Sequence, residues 1–238
     1  MTAPTTAGLL ARLATLGPYF AVATAPPPDA ASYRPLATLP GAAFDDWTAL
    51  VGARLGTGPG RVAASTVHLG HVARLWSLAL GTVALGGGVP DLGPGRLRFT
   101  LSPEGSPRLW VPEPAARPAD EDPVPALHAL LTAHLAPLHA HLRARYGLSP
   151  HLLRGNTASA LTGTVRVLLD RVPDAPLDAG PLAARLLRTD GLGDNGTYLY
   201  DPDLGVAYQR NSCCLFYRTP RGGLCGDCVL RGAPSRRD

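Results

Sequence analysis

The sequence contains no lysine and no isoleucine. All 22 basic side chains are therefore arginines, and because GC-biased codon usage most simply explains this, the abundance of arginine carries little functional weight. No uninterrupted apolar run reaches the roughly 18 residues that a membrane-spanning helix needs, so we expect no membrane span. With 238 residues, 45% of them hydrophobic, the chain is long enough to bury a substantial core without disulfide bonds.

Motifs that indicate a bound nucleotide cofactor or a hydrolytic site are also missing. The sequence has no glycine-rich phosphate loop, no GxSxG elbow and no HExxH helix, and Gly86-Gly87-Gly88 lacks the spacing of a dinucleotide fingerprint. We therefore expect neither a bound flavin nor a bound nicotinamide. If the protein handles electrons, they must come from a separate donor protein or a small reductant.

The first residues superficially imitate a signal peptide. Residues 8–25 end in Ala23-Thr24-Ala25, but they lack a basic start and are interrupted by Arg12 and by Gly17-Pro18. There is no twin-arginine signal either. We therefore expect an amphipathic helix that ends at Gly17-Pro18, in a cytoplasmic protein whose thiols stay reduced.

Hydrophobic periodicity and turn residues predict an α+β fold that is rich in helices and has two short β-hairpins. One predicted helix starts at Ser149-Pro150 and ends at a break at Gly155. A second one then begins with Asn156 as its cap and runs to about residue 169. The other predicted helices cover residues 5–16, 44–55, 62–83, 126–145 and 181–188, and the hairpins pair 96–101 with 109–111 and 197–200 with 206–210.

Residues 112–125 are rich in proline and acidic side chains, which is typical of an exposed connection. This composition suggests an internal boundary. We expect an N-terminal α+β region over residues 1–115, a helical region over 116–203 and a C-terminal segment over 204–238.

The net charge of +4 is concentrated near the C-terminus. Residues 208–238 hold six arginines against two aspartates, whereas the rest of the chain holds 16 basic and 16 acidic side chains. This distribution argues against a broad nucleic-acid-binding surface and places the positive field around the cysteines. A solvated basic tail with no specific role is the alternative.

The four cysteines all lie within 16 positions, as Cys213-Cys214 and, after ten intervening residues, Cys225-Gly226-Asp227-Cys228. A CxxC pair can turn two thiolates onto one metal centre, and the neighbouring glycines let the backbone bend around it. Adjacent cysteines in an extended strand point to opposite faces, so the chain must turn sharply if both are ligands.

Three kinds of site are compatible with these cysteines. A zinc site with four thiolates usually supplies two spaced pairs rather than one adjacent pair. Two disulfides need an oxidising compartment, and a bridge between neighbouring residues is strained. We favour a [2Fe-2S] cluster on Cys213, Cys214, Cys225 and Cys228, and keep zinc and disulfides as alternatives.

The cysteine spacing resembles that of the FhuF-type ferric-siderophore reductases. Their C-terminal signature is two adjacent cysteines, about ten residues, and then a CxxC that completes the binding of a [2Fe-2S] cluster. Weaker likenesses lie upstream, in Leu16-Gly17-Pro18-Tyr19-Phe20, in residues 75–81 continuing to 89–92, and in Arg154-Gly155-Asn156-Thr157-Ala158-Ser159. Arg154 stands where the family often has tryptophan.

The resemblance implies one-electron reduction of an iron(III)-siderophore inside the cell, so that the metal leaves as iron(II). No side chain need act as an acid or a base in such an outer-sphere transfer. We expect Arg210, Arg218 and Arg221 either to neutralise the cluster or to contact an anionic siderophore. The alternative is a non-catalytic protein, namely an iron-sulfur electron carrier or sensor, or a zinc-stabilised interaction module.

Histidines give weaker signals. His68 and His71 stand three residues apart on a predicted helix, but no carboxylate supports a metal site on that face. His128, His134, His139 and His141 scatter around their predicted helix, and we expect them to be solvated or partly buried.

Overall fold

The computed structural model describes residues 4–117, 122–189 and 192–231. Its helices are α1 (Thr6–Ala14), α2 (Ala42–Leu55), α3 (Arg61–Ala84), α4 (Val124–Tyr146), α5 (Pro150–Arg171) and α6 (Ala179–Leu187). Its strands are β1 (Arg34–Pro35), β2 (Val89–Pro90), β3 (Arg98–Leu101), β4 (Pro107–Trp110), β5 (Ala116–Arg117), β6 (Gly196–Asp201) and β7 (Gly205–Arg210). The predicted helix-rich α+β class is confirmed.

Local sequence signals set the ends of several helices. The Thr5 hydroxyl accepts a hydrogen bond from the Gly8 amide at the start of α1, and the Ser149 hydroxyl accepts one from the Leu152 amide at the start of α5. Gly56 and Gly147 end α2 and α4 in the left-handed conformation that glycine adopts without a steric penalty. These capping residues explain why the predicted bounds lie within a few residues of the observed ones.

The predicted break at Gly155 is wrong, because α5 runs without interruption from Pro150 to Arg171. Asn156 lies inside this helix and is fully buried, so it does not cap a new one. Gly155 is needed for close packing: a Cβ built there would lie 2.0 Å from the Ser212 hydroxyl oxygen. This glycine, whose local sequence predicts a helix break, is thus required because a residue distant in the chain packs against it.

Both predicted hairpins are present. β3 pairs with β4, and β1 adds to β3 to give a three-stranded antiparallel sheet. β6 pairs with β7 around a turn in which the Asp201 carboxylate accepts hydrogen bonds from the amides of Asp203 and Leu204. A short pair of β2 and β5 was not predicted.

Helix α3 lies at the centre of the molecule, since 17 of its 24 residues are buried. α5 packs along it, and the Trp76 indole donates a hydrogen bond to the Thr157 carbonyl (3.2 Å). The hydroxyls of Ser77 and Thr164 lie 3.3 Å apart across the same helix pair. Among the described residues, no helix combines the length and apolar character needed to cross a bilayer.

Candidate functional site

Strand β7 leads directly into the cysteine segment, residues 211–231. The Arg210 amide donates to the Asp227 carbonyl (3.0 Å), which brings the CxxC turn back beside the strand that precedes Cys213. The Ser65 hydroxyl on α3 donates to the Cys214 carbonyl (2.8 Å). The segment is therefore anchored both to itself and to the central helix.

The backbone turns sharply after the adjacent cysteines, as it must if both of them are ligands. Leu215 has φ = 68°, the left-handed conformation, and is the only described non-glycine residue with a positive φ. A short 3₁₀ turn, Phe216–Arg218, follows. A Cβ on Gly222 would lie 2.1 Å from the Thr219 hydroxyl oxygen and 2.3 Å from the Phe216 carbonyl oxygen, so only glycine fits this loop.

All four cysteines carry free thiols. The sulfurs of Cys214 and Cys225 lie 3.6 Å apart and share a hydrogen bond. Two thiolates bound at about 2.3 Å to one tetrahedral metal ion lie about 3.8 Å apart, so this pair is spaced for a shared metal centre. Cys214 and Cys228 are buried, whereas Cys213 and Cys225 are half-buried.

Backbone amides point at two of the sulfurs. The Leu215 amide donates to the Cys213 sulfur (3.3 Å) and the Leu230 amide donates to the Cys228 sulfur (3.4 Å). Hydrogen bonds of this kind stabilise negative charge on sulfur and tune iron-sulfur centres.

The pKa values of the Cys214 and Cys225 thiols are shifted in opposite directions. The pKa of Cys214 falls to about 6, first because of its hydrogen bond with Cys225 and further because of the Phe216 amide and the positive charge of Arg210. The same hydrogen bond, together with burial, raises the pKa of Cys225. A thiolate is therefore favoured in this pair at neutral pH, and thiolates are the form that binds metal.

Arg210 supplies a buried positive charge beside these sulfurs. Its side chain is 1% exposed, and its Nη2 donates to the Asn156 amide oxygen (2.8 Å) and to the Ser212 hydroxyl (3.2 Å). Its Nε and Nη1 atoms are buried and find no acceptor among the described residues. A buried cation with two unused donors is unfavourable alone and fits a neighbouring anionic group.

Asp227, inside the CxxC turn, fixes that turn to α5. Its carboxylate accepts hydrogen bonds from Arg166 Nη1 (2.7 Å) and from the Ser159 hydroxyl (2.5 Å). Arg166 also donates to the Val206 carbonyl (3.3 Å) at the start of β7. This buried carboxylate thus ties the turn, the helix and the last hairpin together.

A chain of polar side chains runs inward from Arg210. The Asn156 side-chain amide donates to the Ser65 carbonyl and to the His68 Nδ1 atom, and the Nε2 atoms of His68 and His139 lie 2.9 Å apart. Burial is the main reason why the pKa of His68 lies well below its usual value. His68 is fully buried and His139 is half-buried. Within the described chain, no three histidine, cysteine or acidic side chains are placed to hold one metal ion.

The expectation of solvated or partly buried histidines on α4 is wrong for His134. Its ring is 5% exposed, and its Nε2 lies 2.7 Å from the Leu92 carbonyl oxygen. A hydrogen bond to a backbone carbonyl lets a neutral histidine sit in the core.

The cysteine segment offers free thiols, amides aimed at sulfur and a buried cation with unused donors, and this set fits an anionic iron-sulfur cluster. Residues 210–230 match the family model of the FhuF 2Fe-2S C-terminal domain. This segment is a FhuF-type iron-sulfur domain. The family expected from the cysteine spacing is confirmed, and the cofactor is a [2Fe-2S] cluster rather than zinc. No curated protein matches the chain.

An open groove lies beside the FhuF-type domain, between α3 and α5. Its volume is about 490 Å³, and both Cys214 and Cys225 line it. Its other walls are mainly apolar or small side chains: Tyr19, Phe20, Leu69, Gly70, Ala73, Ala160, Gly163, Val167 and Phe216. The sequence signals near Tyr19 and Asn156 did not predict this groove, because it forms only when two distant helices pack.

The arginines predicted to serve the site occupy different environments. Arg210 is buried, whereas Arg218 and Arg221 are exposed. Sequence reasoning singled out neither Asp227 nor Asn156 for the contacts they make here. An acidic residue inside the CxxC of a basic tail is the sequence signal that could have indicated the role of Asp227.

Proposed function

We propose that this protein is a ferric-siderophore reductase whose Cys213, Cys214, Cys225 and Cys228 hold the [2Fe-2S] cluster. The observation that carries the proposal is the groove in which Cys214 and Cys225 form part of the wall. A chelate seated there lies directly against two of the proposed cluster ligands. When bound, the cluster supplies single electrons.

The chemistry of iron chelates requires little more than such an electron. Hard hydroxamate or catecholate oxygens hold iron(III) far more tightly than iron(II), because the smaller and more highly charged ion gains more from them. Adding one electron therefore loosens the complex. The protein must only bring the chelate close to the cluster, exclude competing reactions and stabilise the reduced form of the cluster. We therefore assign no side chain as an acid or a base.

Small side chains keep the groove open. Gly70 and Ala73 on α3 face a wall that includes Ala160 and Gly163 on α5. A Cβ on Gly163 would meet no atom within 4 Å, so the space beside it is free. The groove is open to solvent along one side, which lets part of a large chelate enter while the remainder stays hydrated.

Arg210 has the role of an internal counter-charge. A [2Fe-2S] core with four thiolates is a dianion when oxidised and a trianion when reduced, so a nearby cation favours the reduced form. The positive charge of Arg210, which interacts with Cys214, and the amides of Leu215 and Leu230 supply this stabilisation near the sulfurs. Because Arg210 is only 1% exposed, we assign it to the cluster rather than to the siderophore.

Anaerobic purification followed by iron and sulfide analysis tests the cofactor and its ligands. We expect two irons and two sulfides per chain, and loss of the cluster when any one of the four cysteines becomes serine. The reduced protein is then mixed with hydroxamate and catecholate complexes of iron(III), and iron(II) is trapped with a coloured indicator. A coloured protein that reduces neither chelate would be a carrier or sensor, and the reductase proposal would fail.

Filling the groove tests where the chelate binds. Gly163→Leu adds a side chain into open space without a backbone clash, and should raise the KM for the chelate while leaving the reduction potential unchanged. Gly95→Leu is the matched control, since Gly95 is exposed, is not part of the groove lining, and a Cβ there also meets nothing within 4 Å. Equal KM values for the two variants would exclude this groove as the chelate site.

A further inference from the structure

We propose that the exposed rim of the cysteine segment is the docking surface for an acidic electron-donor protein. This inference rests on the proposed reductase function, because each reduction of iron(III) removes one electron that a donor must replace. The electron balance is simple: the donor loses one electron to the FhuF-type domain, and the chelate later gains one from it. We define the basic rim as Tyr217, Arg218, Arg221, Leu224, Leu230 and Arg231.

The basic rim borders the sulfurs closely along the chain. Arg218 lies four residues after Cys214, Leu224 immediately precedes Cys225, and Leu230 lies two residues after Cys228. The electrostatic interaction of Arg218 with Cys213 is consistent with this proximity. One cysteine of each pair, Cys213 and Cys225, is half-buried and not fully covered. A partner on the rim therefore comes near the cluster without any rearrangement of the core.

Apolar side chains on the rim are unusually exposed. Tyr217 is 40% exposed, Leu224 is 47% exposed and Leu230 is 38% exposed. These three exposed residues lie within 14 positions of one another in the segment that carries the cysteines. Transient electron-transfer complexes use small interfaces of this kind, with apolar contacts at the centre and charged residues around them.

The charge of the rim identifies the partner. Arg218, Arg221 and Arg231 are exposed, and no described carboxylate forms an ion pair with any of them. The single acid in residues 211–231 is Asp227, which is buried and bound to Arg166 and Ser159. Every exposed charge of the segment is thus positive, while residues 1–207 hold equal numbers of acidic and basic side chains. An acidic protein surface is the complementary partner, and attraction would accelerate its encounter with the rim.

The experiment uses photochemically reduced plant-type ferredoxin, an acidic protein, as the probe, and follows reduction of the cluster anaerobically by stopped flow. We expect the wild-type rate constant to fall steeply with ionic strength and the Arg218→Glu/Arg221→Glu variant to react at least about tenfold more slowly at low salt. Arg117→Glu/Arg188→Glu changes the net charge equally at two other exposed arginines and should stay within about twofold of wild type. A cationic viologen radical should reduce the rim variant no more slowly than wild type.

The docking proposal would be overturned if the control variant were reduced by ferredoxin as slowly as the rim variant. It would also be overturned if the wild-type rate constant did not change with ionic strength. If the charge reversal lowers cluster content, Arg218→Gln/Arg221→Gln replaces it, with an expected fall of about threefold. A second arm gives each pre-reduced protein an iron(III) chelate. The rim variant should reduce it as fast as wild type, and slowing in this arm alone would assign the rim to the chelate instead. Wild-type protein that accepts electrons from ferredoxin but reduces no chelate would refute the reductase function and leave the docking site standing.

Discussion

Replacing Asp227 tests whether one buried carboxylate keeps the CxxC turn in place. Its side chain is 8% exposed, while its partner Arg166 is 37% exposed. Breaking a buried ion pair costs about 3 to 5 kcal/mol, but solvent reaches Arg166 and reduces this to about 2 to 3 kcal/mol. The lost hydrogen bond from Ser159 adds about 1 kcal/mol. Asp227→Ala should therefore weaken docking of the turn by about 3 to 4 kcal/mol, or roughly two to three orders of magnitude in equilibrium.

We expect a chelator to reach the cluster through the undocked turn, so the rate of bleaching should report this equilibrium. We expect bleaching of the oxidised protein by an iron chelator to be about 100-fold faster in Asp227→Ala than in wild type. Asp227→Asn keeps one of the two acceptor oxygens but loses the charge, and its bleaching rate should lie between those of wild type and Asp227→Ala. Asp170→Ala is the control, because Asp170 and Arg171 form an exposed ion pair. Bleaching of Asp227→Ala within about twofold of wild type would refute the reasoning.

Three further predictions concern the surroundings of the site. Arg210→Gln removes a charge interaction of about 1 to 2 kcal/mol and should therefore lower the reduction potential of the cluster by about 40 to 90 mV. A redox titration measures this shift, and an unchanged potential would contradict the role of Arg210 as a counter-charge. Gly155→Ala should reduce the cluster content, because its Cβ would lie 2.0 Å from the Ser212 hydroxyl oxygen, whereas Gly163→Ala meets no atom within 4 Å and should retain full content. Burial lowers the pKa of His71 to about 3 and that of His139 to about 4. The unfolded chain therefore takes up protons first, and the free energy of unfolding should fall as the pH drops from about 6.5 toward 4. Denaturation at several pH values should show a smaller dependence of stability on pH for His71→Gln than for wild type.

Much of the fold could be predicted because its signals are local. Helix periodicity, caps such as Ser149 and turn residues such as Asp201 act within a few positions, and the cysteine spacing identified the cofactor. The errors come from contacts between distant residues. The local sequence at Gly155-Asn156 predicts a helix break. In the structure, Gly155 instead packs against Ser212, and Asn156 forms hydrogen bonds with Ser65, His68 and Arg210.

The site itself was only partly visible for the same reason. The sequence placed Arg210 near the cysteines, but its burial depends on Asn156, which lies 54 residues earlier in the chain. From the sequence, Asp227 counted only toward the net charge of the C-terminal segment. Its hydrogen bonds to residues of α5 give it a structural role. A groove between two helices has no local signature, because each wall alone is an ordinary helix face.

The buried guanidinium of Arg210 links cofactor binding to folding. Two of its nitrogens have no acceptor among the described residues, so this cation is costly to bury without a neighbouring anion. Cluster binding compensates that cost, so its removal should lower the melting temperature of wild-type protein. Arg210→Leu removes the cation from both forms, and the apo protein should then melt at a higher temperature than wild-type apo protein, while the cluster-loaded variant gains no such advantage. Calorimetry of the four species decides this, and an Arg210→Leu apo protein that melts below wild-type apo protein would show that the arginine is stabilising without the cluster.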